Sequence, residues 1–338
     1  MRITNPMVTR NYTRNLHTNR AMLDRFSRQV QTGRRFDSFS QDNASGIRAM
    51  QVRRSLARVD SSLDNARAAQ SYMRSAEGML MNINNITHSI SERFVKALND
   101  TNGAIDRSVI ATELERMQES ILALANGQYA GRYVFGGTNT ITAPFTTNED
   151  GHIMYNGVLL RDITRGSDEY NRIMSDGAFL DVGMNISFNN ENDPTRVDPG
   201  SAFRFTLVGA EFIGTGPHNL HDTITDMINF LRSGTHGDSD QGQTLDPVLG
   251  GALLDRFQAA STHLSVQITQ LGTDTNFLEF TIDRLLDDQL SLLTRQQELE
   301  IRPPEEAILD FKMQEFIYNA TLQMGQRLLQ PSLFDFIR

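Results

Sequence analysis

The chain has 338 residues, enough for about two domains and a sizeable hydrophobic core. It contains no cysteine, which excludes disulfide frameworks, catalytic thiolates, iron–sulfur clusters and cysteine-ligated zinc. The net charge of −9 is unevenly divided, because residues 1–75 carry 14 Arg, no Lys and 5 acidic residues, whereas the rest carries 18 basic and 36 acidic residues.

The N-terminus lacks an apolar run of signal-peptide length, and no window approaches 18 consecutive apolar residues. We therefore expect neither Sec export nor a membrane span. Some export routes read a soluble, uncleaved N-terminus, so export by another route remains open.

The first predicted element is a helix that ends at Gly33. Its inward positions alternate at spacings of four and three, which is typical of a coiled-coil seam rather than a broad globular face. These positions are Tyr12, Leu16, Asn19, Leu23, Phe26 and Val30.

Two more helices are predicted before the composition changes. The first covers residues 43–99, and the second has Asp106 or Ser108 as candidate N-cap and ends at Asn126-Gly127. At about 1.5 Å per residue the longer helix would span roughly 85 Å, which indicates an elongated molecule.

The composition changes at Arg132. Residues 132–217 are rich in glycine and contain short alternating runs, such as residues 203–207. Asn156-Gly157 separates two such runs, which is the signature of a two-residue β-hairpin. A compact β region is therefore predicted here, followed by a short helix over 220–231 and a polar loop over 233–246.

Residues 250–302 have the most regular heptad pattern in the chain. Fourteen seam positions alternate without a break, and ten of them are apolar. Pro303-Pro304 interrupts this helix, because proline has no N–H and restricts the residue before it. Glu305 and Glu306 then occupy the first turn of a final helix, where acidic residues suit the helix dipole.

The final helix, over residues 305–330, is apolar on two sides. Leu309, Met313, Phe316, Ala320 and Met324 lie on one side, and Ile308, Phe311, Tyr318, Leu322 and Leu329 lie on the other. A single partner helix covers only one stripe, so we expect neighbouring subunits to cover the rest. The predicted assembly interface comprises Leu16, Leu23, Phe26, Val30, Ile308, Phe311, Phe316, Ile317, Leu322, Leu328 and Leu329.

The charge distribution fits self-assembly. Residues 272–315 carry eleven acidic and four basic residues, and we expect them to face the arginine-rich first 75 residues within or between subunits. Exposed ion pairs contribute about 0–1 kcal/mol each, so these charges are expected to select register and partner rather than to supply stability.

These elements predict a mainly α fold with an inserted β domain. The helical part is expected to be an elongated antiparallel bundle or coiled coil formed by both chain ends. Three domains are predicted: a terminal coiled-coil assembly domain (1–42 with 303–338), a helical rod (43–145 with 235–302) and an inserted β-rich outer domain (146–234).

Four short segments resemble the flagellin superfamily. They are residues 2–5 (Arg-Ile-Thr-Asn), 31–35 (Gln-Thr-Gly-Arg-Arg), 131–137 (Gly-Arg-Tyr-Val-Phe-Gly-Gly) with 143–145 (Ala-Pro-Phe), and 329–336 (Leu-Gln-Pro-Ser-Leu-Phe-Asp-Phe). The last two are similar to the hook–filament junction branch of this superfamily.

The resemblance implies a non-enzymatic structural protein without a cofactor. Such proteins leave the cell through the flagellar type III export channel, with a chaperone on their C-terminal helices. They then form a ring at the end of the hook, beneath the filament. The implied partners are other copies of the chain, the other hook-associated junction protein, flagellin and the export chaperone, and the implied location is the extracellular flagellum.

Three other functions compete with a role at the junction. A metalloenzyme would have to use His218, His221 and Asp222, a pattern that is better explained by capping of the helix over 220–231. A nucleic-acid-binding role would use the N-terminal arginines, but they are spread around the helices of an acidic chain and no aromatic stacking motif accompanies them. Flagellin itself, the subunit of the filament, also assembles through both chain ends, so this alternative stays open.

Overall fold

The computed structural model describes residues 5–36, 38, 42–98, 104–184, 187, 202–233 and 246–329. The chain divides into two compact units, which are residues 1–60 with 286–338 (unit 1) and residues 61–285 (unit 2). Two long helices, α2 (Asn43–Leu98) and α7 (Pro247–Glu300), contribute one part to each unit. The three-domain division proposed from the sequence stays a prediction.

Unit 1 is helical. It contains α1 (Asn5–Thr32), the start of α2, the end of α7 and α8 (Pro304–Leu329). Gly33 ends α1 with a φ of 68°, a left-handed conformation that glycine adopts without strain. The predicted coiled-coil helix and its stop are therefore confirmed.

The helices of unit 2 are the rest of α2, α3 (Ala104–Ala125), α6 (Leu220–Ser233) and the first part of α7. Helix α3 begins before the predicted N-cap candidates, so that assignment was wrong. Asp106 instead lies in the first turn, where a carboxylate also suits the helix dipole, and composition alone cannot separate this position from a cap.

The heptad pattern of α7 is confirmed. Within unit 2 its seam is buried at Phe257, Leu264, Leu271, Leu278 and Leu285. The helix ends at Glu300, so residues 301–303 form the break that the two prolines predicted. Of the predicted polar loop, residues 234–245 lie outside the described part of the chain.

The β part of unit 2 consists of small antiparallel sheets. One pairs β1 (Gln128–Tyr129) with β2 (Arg132–Tyr133), and a second joins β3 (Phe145–Thr147), β4 (Ile153–Tyr155) and β5 (Val158–Leu159) in that order. The third pairs β6 (Phe179–Leu180) with β7 (Phe203–Arg204). The fold is thus mainly α with a small β part, as predicted.

The predicted hairpin is confirmed. Tyr155 pairs with Val158 across a turn in which Asn156 and Gly157 have φ values of 48° and 84°. Two positive φ values in a two-residue turn are what Asn-Gly adopts readily.

The β region contains more helix than the sequence indicated. It includes a 3-10 helix (Leu160–Asp162), α4 (Asp168–Met174) and α5 (Gly209–Ile213). The alternating run over 203–207 is a strand only at its first two residues. Beyond the strand, Phe205 N donates to the carbonyl of Ala178 at 3.2 Å, but Ala178 N donates to the side chain of Thr206, at 2.8 Å, where a ladder would use a backbone carbonyl.

Candidate assembly surface

Helices α1 and α8 pack antiparallel within unit 1. Near the middle of the pair, Asn19 donates to Thr321 Oγ1 at 2.9 Å, and Gln314 donates to the carbonyl of Asn19 at 3.1 Å. Gln314 is only 5% exposed. Farther along, Gly325 lies directly against the ring of Tyr12, where a β-carbon would collide with the phenol. The seam of α8 therefore contains small and polar side chains at these contacts.

The other end of the pair is held by Arg302. Its backbone N–H donates to Gly33 O at 3.0 Å, and its guanidinium donates to Gln29 Oε1 at 2.5 Å. The same guanidinium forms an ion pair with Asp310 and lies 5.7 Å from the centre of the Phe26 ring. One side chain thus ties the end of α1 to the start of α8.

A second tie joins α2 to the end of α7. Arg53 donates two hydrogen bonds of 2.6 Å to the carboxylate of Glu300, while the backbone of Glu300 accepts from Arg35 N at 2.8 Å. The bonds from Arg53 hold the pKa of Glu300 below its ordinary value. This pair is one contact of the kind predicted between the acidic C-terminal part and the arginine-rich N-terminal part.

The side of α8 that faces away from α1 carries an exposed row of large apolar side chains. We call Leu309, Met313, Phe316 and Met324 the α8 stripe; they are 64%, 56%, 74% and 65% exposed. Their spacing places them on one face of the helix, roughly opposite Ala307, Gln314 and Gly325. Burying one such side chain stabilises by about 1.5–3 kcal/mol, so this face favours a partner.

The residues predicted for the interface divide into two groups. Leu16, Leu23, Phe26 and Phe311 are half-buried in unit 1, whereas Val30, Ile308, Phe316, Ile317 and Leu322 are exposed. Leu328 and Leu329 belong to α8, and their side chains lie outside the described part of the structure. The first group thus contributes to packing within one copy, and the contact of the second group with neighbouring copies stays a prediction.

Two placements differ from the sequence interpretation. Val30 was assigned to the seam of α1, but Gln29 is buried at that end instead, because its side chain binds both Arg302 and the carbonyl of Arg35. In addition, Leu309, Met313 and Met324 were left out of the predicted interface although they are among the most exposed apolar residues of α8. Their shared face with Phe316, which the sequence already showed, was the signal that could have added them to the interface.

A metal site would have to use His218, His221 and Asp222. Among the described residues, no three or more His, Asp or Glu side chains form a group that could hold a metal ion. Asn219, rather than a histidine, caps α6 by accepting from Asp222 N at 2.8 Å. Asp222 and His221 are both buried, whereas His218 is exposed. Of the two histidines, His221 is therefore enclosed by the protein and His218 is in contact with solvent.

None of the described helices is both long enough and apolar enough to cross a bilayer.

Comparison with known proteins supports the resemblance seen in the sequence. The family profile described as the bacterial flagellin N-terminal helical region matches residues 3–140. Flagellar hook-associated protein 3 of Escherichia coli K12 is 27% identical over 155 residues, which are 45% of this chain and 49% of that relative. The match therefore spans about half the length of the relative.

Two solved structures share the fold. A flagellar hook-associated protein of Vibrio parahaemolyticus superposes with a TM-score of 0.59 over 77% of this chain and all of that chain. Flagellar hook-associated protein 3 of Legionella pneumophila superposes with a TM-score of 0.53 over 74% of this chain and 99% of that chain. Both are 18% identical to this chain, so they support the mainly α fold. The resemblance to the flagellin superfamily and to hook-associated protein 3 is confirmed.

Proposed function

We propose that this chain, a relative of flagellar hook-associated protein 3 with a flagellin-type N-terminal helical region, is a structural subunit of the bacterial flagellum that forms the junction ring between hook and filament. The observation that carries this proposal is the α8 stripe. It lies on a helix that is already paired with α1, in a chain whose relatives are named as hook-associated proteins. The proposal assigns no catalytic step and no cofactor to the chain.

The physical argument for a ring starts from the single partner of α8. Helix α1 covers only the side that contains Gln314 and Gly325, so the large side chains of the α8 stripe remain in solvent in one copy. Four side chains at about 1.5–3 kcal/mol each represent a substantial gain when another copy covers them. A closed ring lets every copy bury this face in the same way.

The same surface suggests the order of partners during export and assembly. An exposed apolar helix face favours aggregation unless another protein covers it, which suits an export chaperone bound to α8 before the chain passes through the type III channel. After export, other copies of this chain would replace the chaperone. The ring would then contact the other hook-associated junction protein on the hook side and flagellin on the filament side, in the extracellular flagellum.

The competing function is that of flagellin, the filament subunit. Both roles need terminal helices that pack with neighbours, so the α8 stripe does not separate them. The relatives with curated names favour the junction role, since they are called hook-associated protein 3.

Immunogold labelling of flagella in the source bacterium separates the two roles. A junction subunit gives one focus of label at the distal end of the hook, and label along the whole filament would identify flagellin instead. A deletion strain supplies the second readout, since loss of a junction subunit should leave hooks in place while unpolymerised flagellin accumulates in the medium. Normal filaments in that strain would overturn the proposal.

A further inference from the structure

Unit 2 contains an open groove with a volume of about 820 Å³. One wall is the stretch of α7 over residues 256–270, and the other is built from the 3-10 helix, α4, α5 and the loop over 214–218. Apolar side chains line much of it, among them Ile163, Tyr170, Met174, Ile213 and Pro217. Small-molecule sites typically have volumes of about 300–1,000 Å³ and a mainly apolar lining with a few polar groups.

The charged side chains that line the groove are mostly basic, in a chain whose net charge is −9. Two of the arginines have acidic partners. Arg204 pairs with Glu211 at 2.8 Å, and Arg256 pairs with Asp226 at 3.1 Å. Glu211 is the one acidic residue among the lining residues, so these two pairs account for the acidic charge at the groove.

The other two arginines leave a positive charge in the groove. Arg161 contacts the Nε2 atom of His152 at 2.8 Å, and the Nδ1 atom of His152 lies 3.3 Å from Asp222 Oδ1, so Asp222 is held one side chain away from Arg161. Neither Arg161 nor Arg165 has a direct acidic partner among the described residues, and both side chains are exposed to solvent at the groove. A guanidinium binds carboxylate and phosphate groups through paired N–H donors, so two guanidiniums without a direct carboxylate partner favour an oxyanion.

Arg256 keeps the wall beside these arginines in place. Its Nη2 donates to the carbonyl of Pro217 at 3.2 Å as well as to Asp226, which links α7 to the loop over 214–218. Its Nε is buried without a hydrogen-bond partner among the described residues. The groove therefore has a fixed wall beside its positive rim.

We propose that this groove is a binding site for a small organic anion. Arg161 and Arg165 hold its carboxylate or phosphate group, and its apolar body lies against Tyr170, Met174 and Pro217, which are the more exposed apolar residues of the lining. The site lies in unit 2, whereas the α8 stripe belongs to unit 1, and the proposal does not depend on the junction role.

The test uses three probes that share one phenyl ring, on the full-length protein: phenyl phosphate, benzoate and benzyl alcohol. Binding is measured by isothermal titration calorimetry, with saturation-transfer NMR for weak complexes. At least one of the two anions should bind, and the stronger one identifies phosphate or carboxylate as the preferred group. Benzyl alcohol lacks the charge, so its affinity should be lower than that of the preferred anion by at least about tenfold.

The variant Arg161→Gln/Arg165→Gln should lower the affinity for the preferred anion by about tenfold or more. The matched control is Arg67→Gln/Arg74→Gln, which removes two exposed charges from α2 in the same unit and should leave the affinity within about twofold. In the unmodified protein, added NaCl should weaken binding of the anion, since it screens exposed charges.

Three results would overturn the proposal. They are no binding of either anion at millimolar concentration, equal binding of benzyl alcohol, and an equal loss in the control variant. The salt titration keeps the test decisive if the groove variant fails to fold.

Discussion

Arg53 and Glu300, 247 positions apart in the sequence, join two helices of unit 1 through a pair of hydrogen bonds that are each 2.6 Å long. The Glu300 side chain is 12% exposed, whereas Arg53 is 53% exposed. Because a two-pronged guanidinium fits a carboxylate in one orientation, the pair specifies the register between the start of α2 and the end of α7.

This pair predicts a loss of stability at low pH. The pKa of Glu300 is lowered in the folded state by the hydrogen bonds from Arg53, so its contribution is complete above the ordinary pKa of about 4.5 and disappears as the pH falls through the lowered value. Glu300→Gln should cost about 1 kcal/mol in the free energy of unfolding at pH 7 and less at pH 3.

Urea unfolding of both proteins at the two pH values measures the effect. Glu298→Gln is the matched control, because Glu298 is an exposed acidic residue of the same helix. An equal loss in both variants at pH 7 would show that the Arg53 pair contributes nothing specific.

A second prediction concerns Gly325. An alanine there places a β-carbon against the Tyr12 phenol, so Gly325→Ala should destabilise the α1–α8 pair although alanine is the better helix former. Faster hydrogen exchange of the α1 amides would report the weakened contact. Gly78→Ala is the control, since nothing lies near a β-carbon at that helical position, and it should stabilise by about 0.5–1 kcal/mol. Unchanged exchange in α1 would contradict the prediction.

How far the fold could be predicted is clear from α1 and α7. Their heptad spacing is a local property of the chain, so the helices, the stop at Gly33 and the break before Pro304 could be derived from neighbouring residues. The partner of each helix was harder to derive. The close approach of Gly325 to Tyr12 joins residues more than 300 positions apart, and neither residue carries a signal for it.

The β part shows the same division between local and long-range features. Asn156-Gly157 specified its hairpin, because a two-residue turn is local. In contrast, Phe179 pairs with Arg204 in two strands of two residues each, which are too short for a periodic pattern. The α8 stripe was predicted only in part. The sequence showed which residues share its face, but it did not show which side of α8 is covered by α1.

The third prediction is alkaline sensitivity of unit 2. Tyr72 Oη donates to the carbonyl of Val134 at 2.5 Å, and burial raises the pKa of Tyr72 to about 12. A raised pKa means that the contribution of Tyr72 is complete below about pH 10 and disappears as the pH rises towards 12.

Tyr72→Phe should therefore cost about 1 kcal/mol at pH 7 through the lost hydrogen bond. Its stability should also decline less than that of the unmodified protein between pH 10 and 12. Denaturant unfolding across this range, with absorbance at 295 nm to follow phenolate formation, tests both statements. The prediction is wrong if the variant loses stability as steeply as the unmodified protein.

The last prediction separates folding from assembly at the α8 stripe. Leu309 and Phe316 are 64% and 74% exposed, so replacing both with serine removes little that stabilises one copy, and the free energy of unfolding of the monomer should change by less than about 0.5 kcal/mol. If neighbouring copies bury these side chains, the same change removes about 3–6 kcal/mol from each contact. Self-association, followed by sedimentation velocity at rising protein concentration, should therefore be lost.

The matched control is Ile141→Ser/Val266→Ser, which changes two exposed apolar residues of unit 2, 88% and 56% exposed, to the same polar residue. This variant should associate as the unmodified protein does, because neither side chain belongs to the α8 stripe. In cells, Leu309→Ser/Phe316→Ser should behave like a deletion of the chain, whereas the control should restore filaments. Equal association of both variants would remove the α8 stripe from the interface, and with it the physical basis for ring assembly through α8.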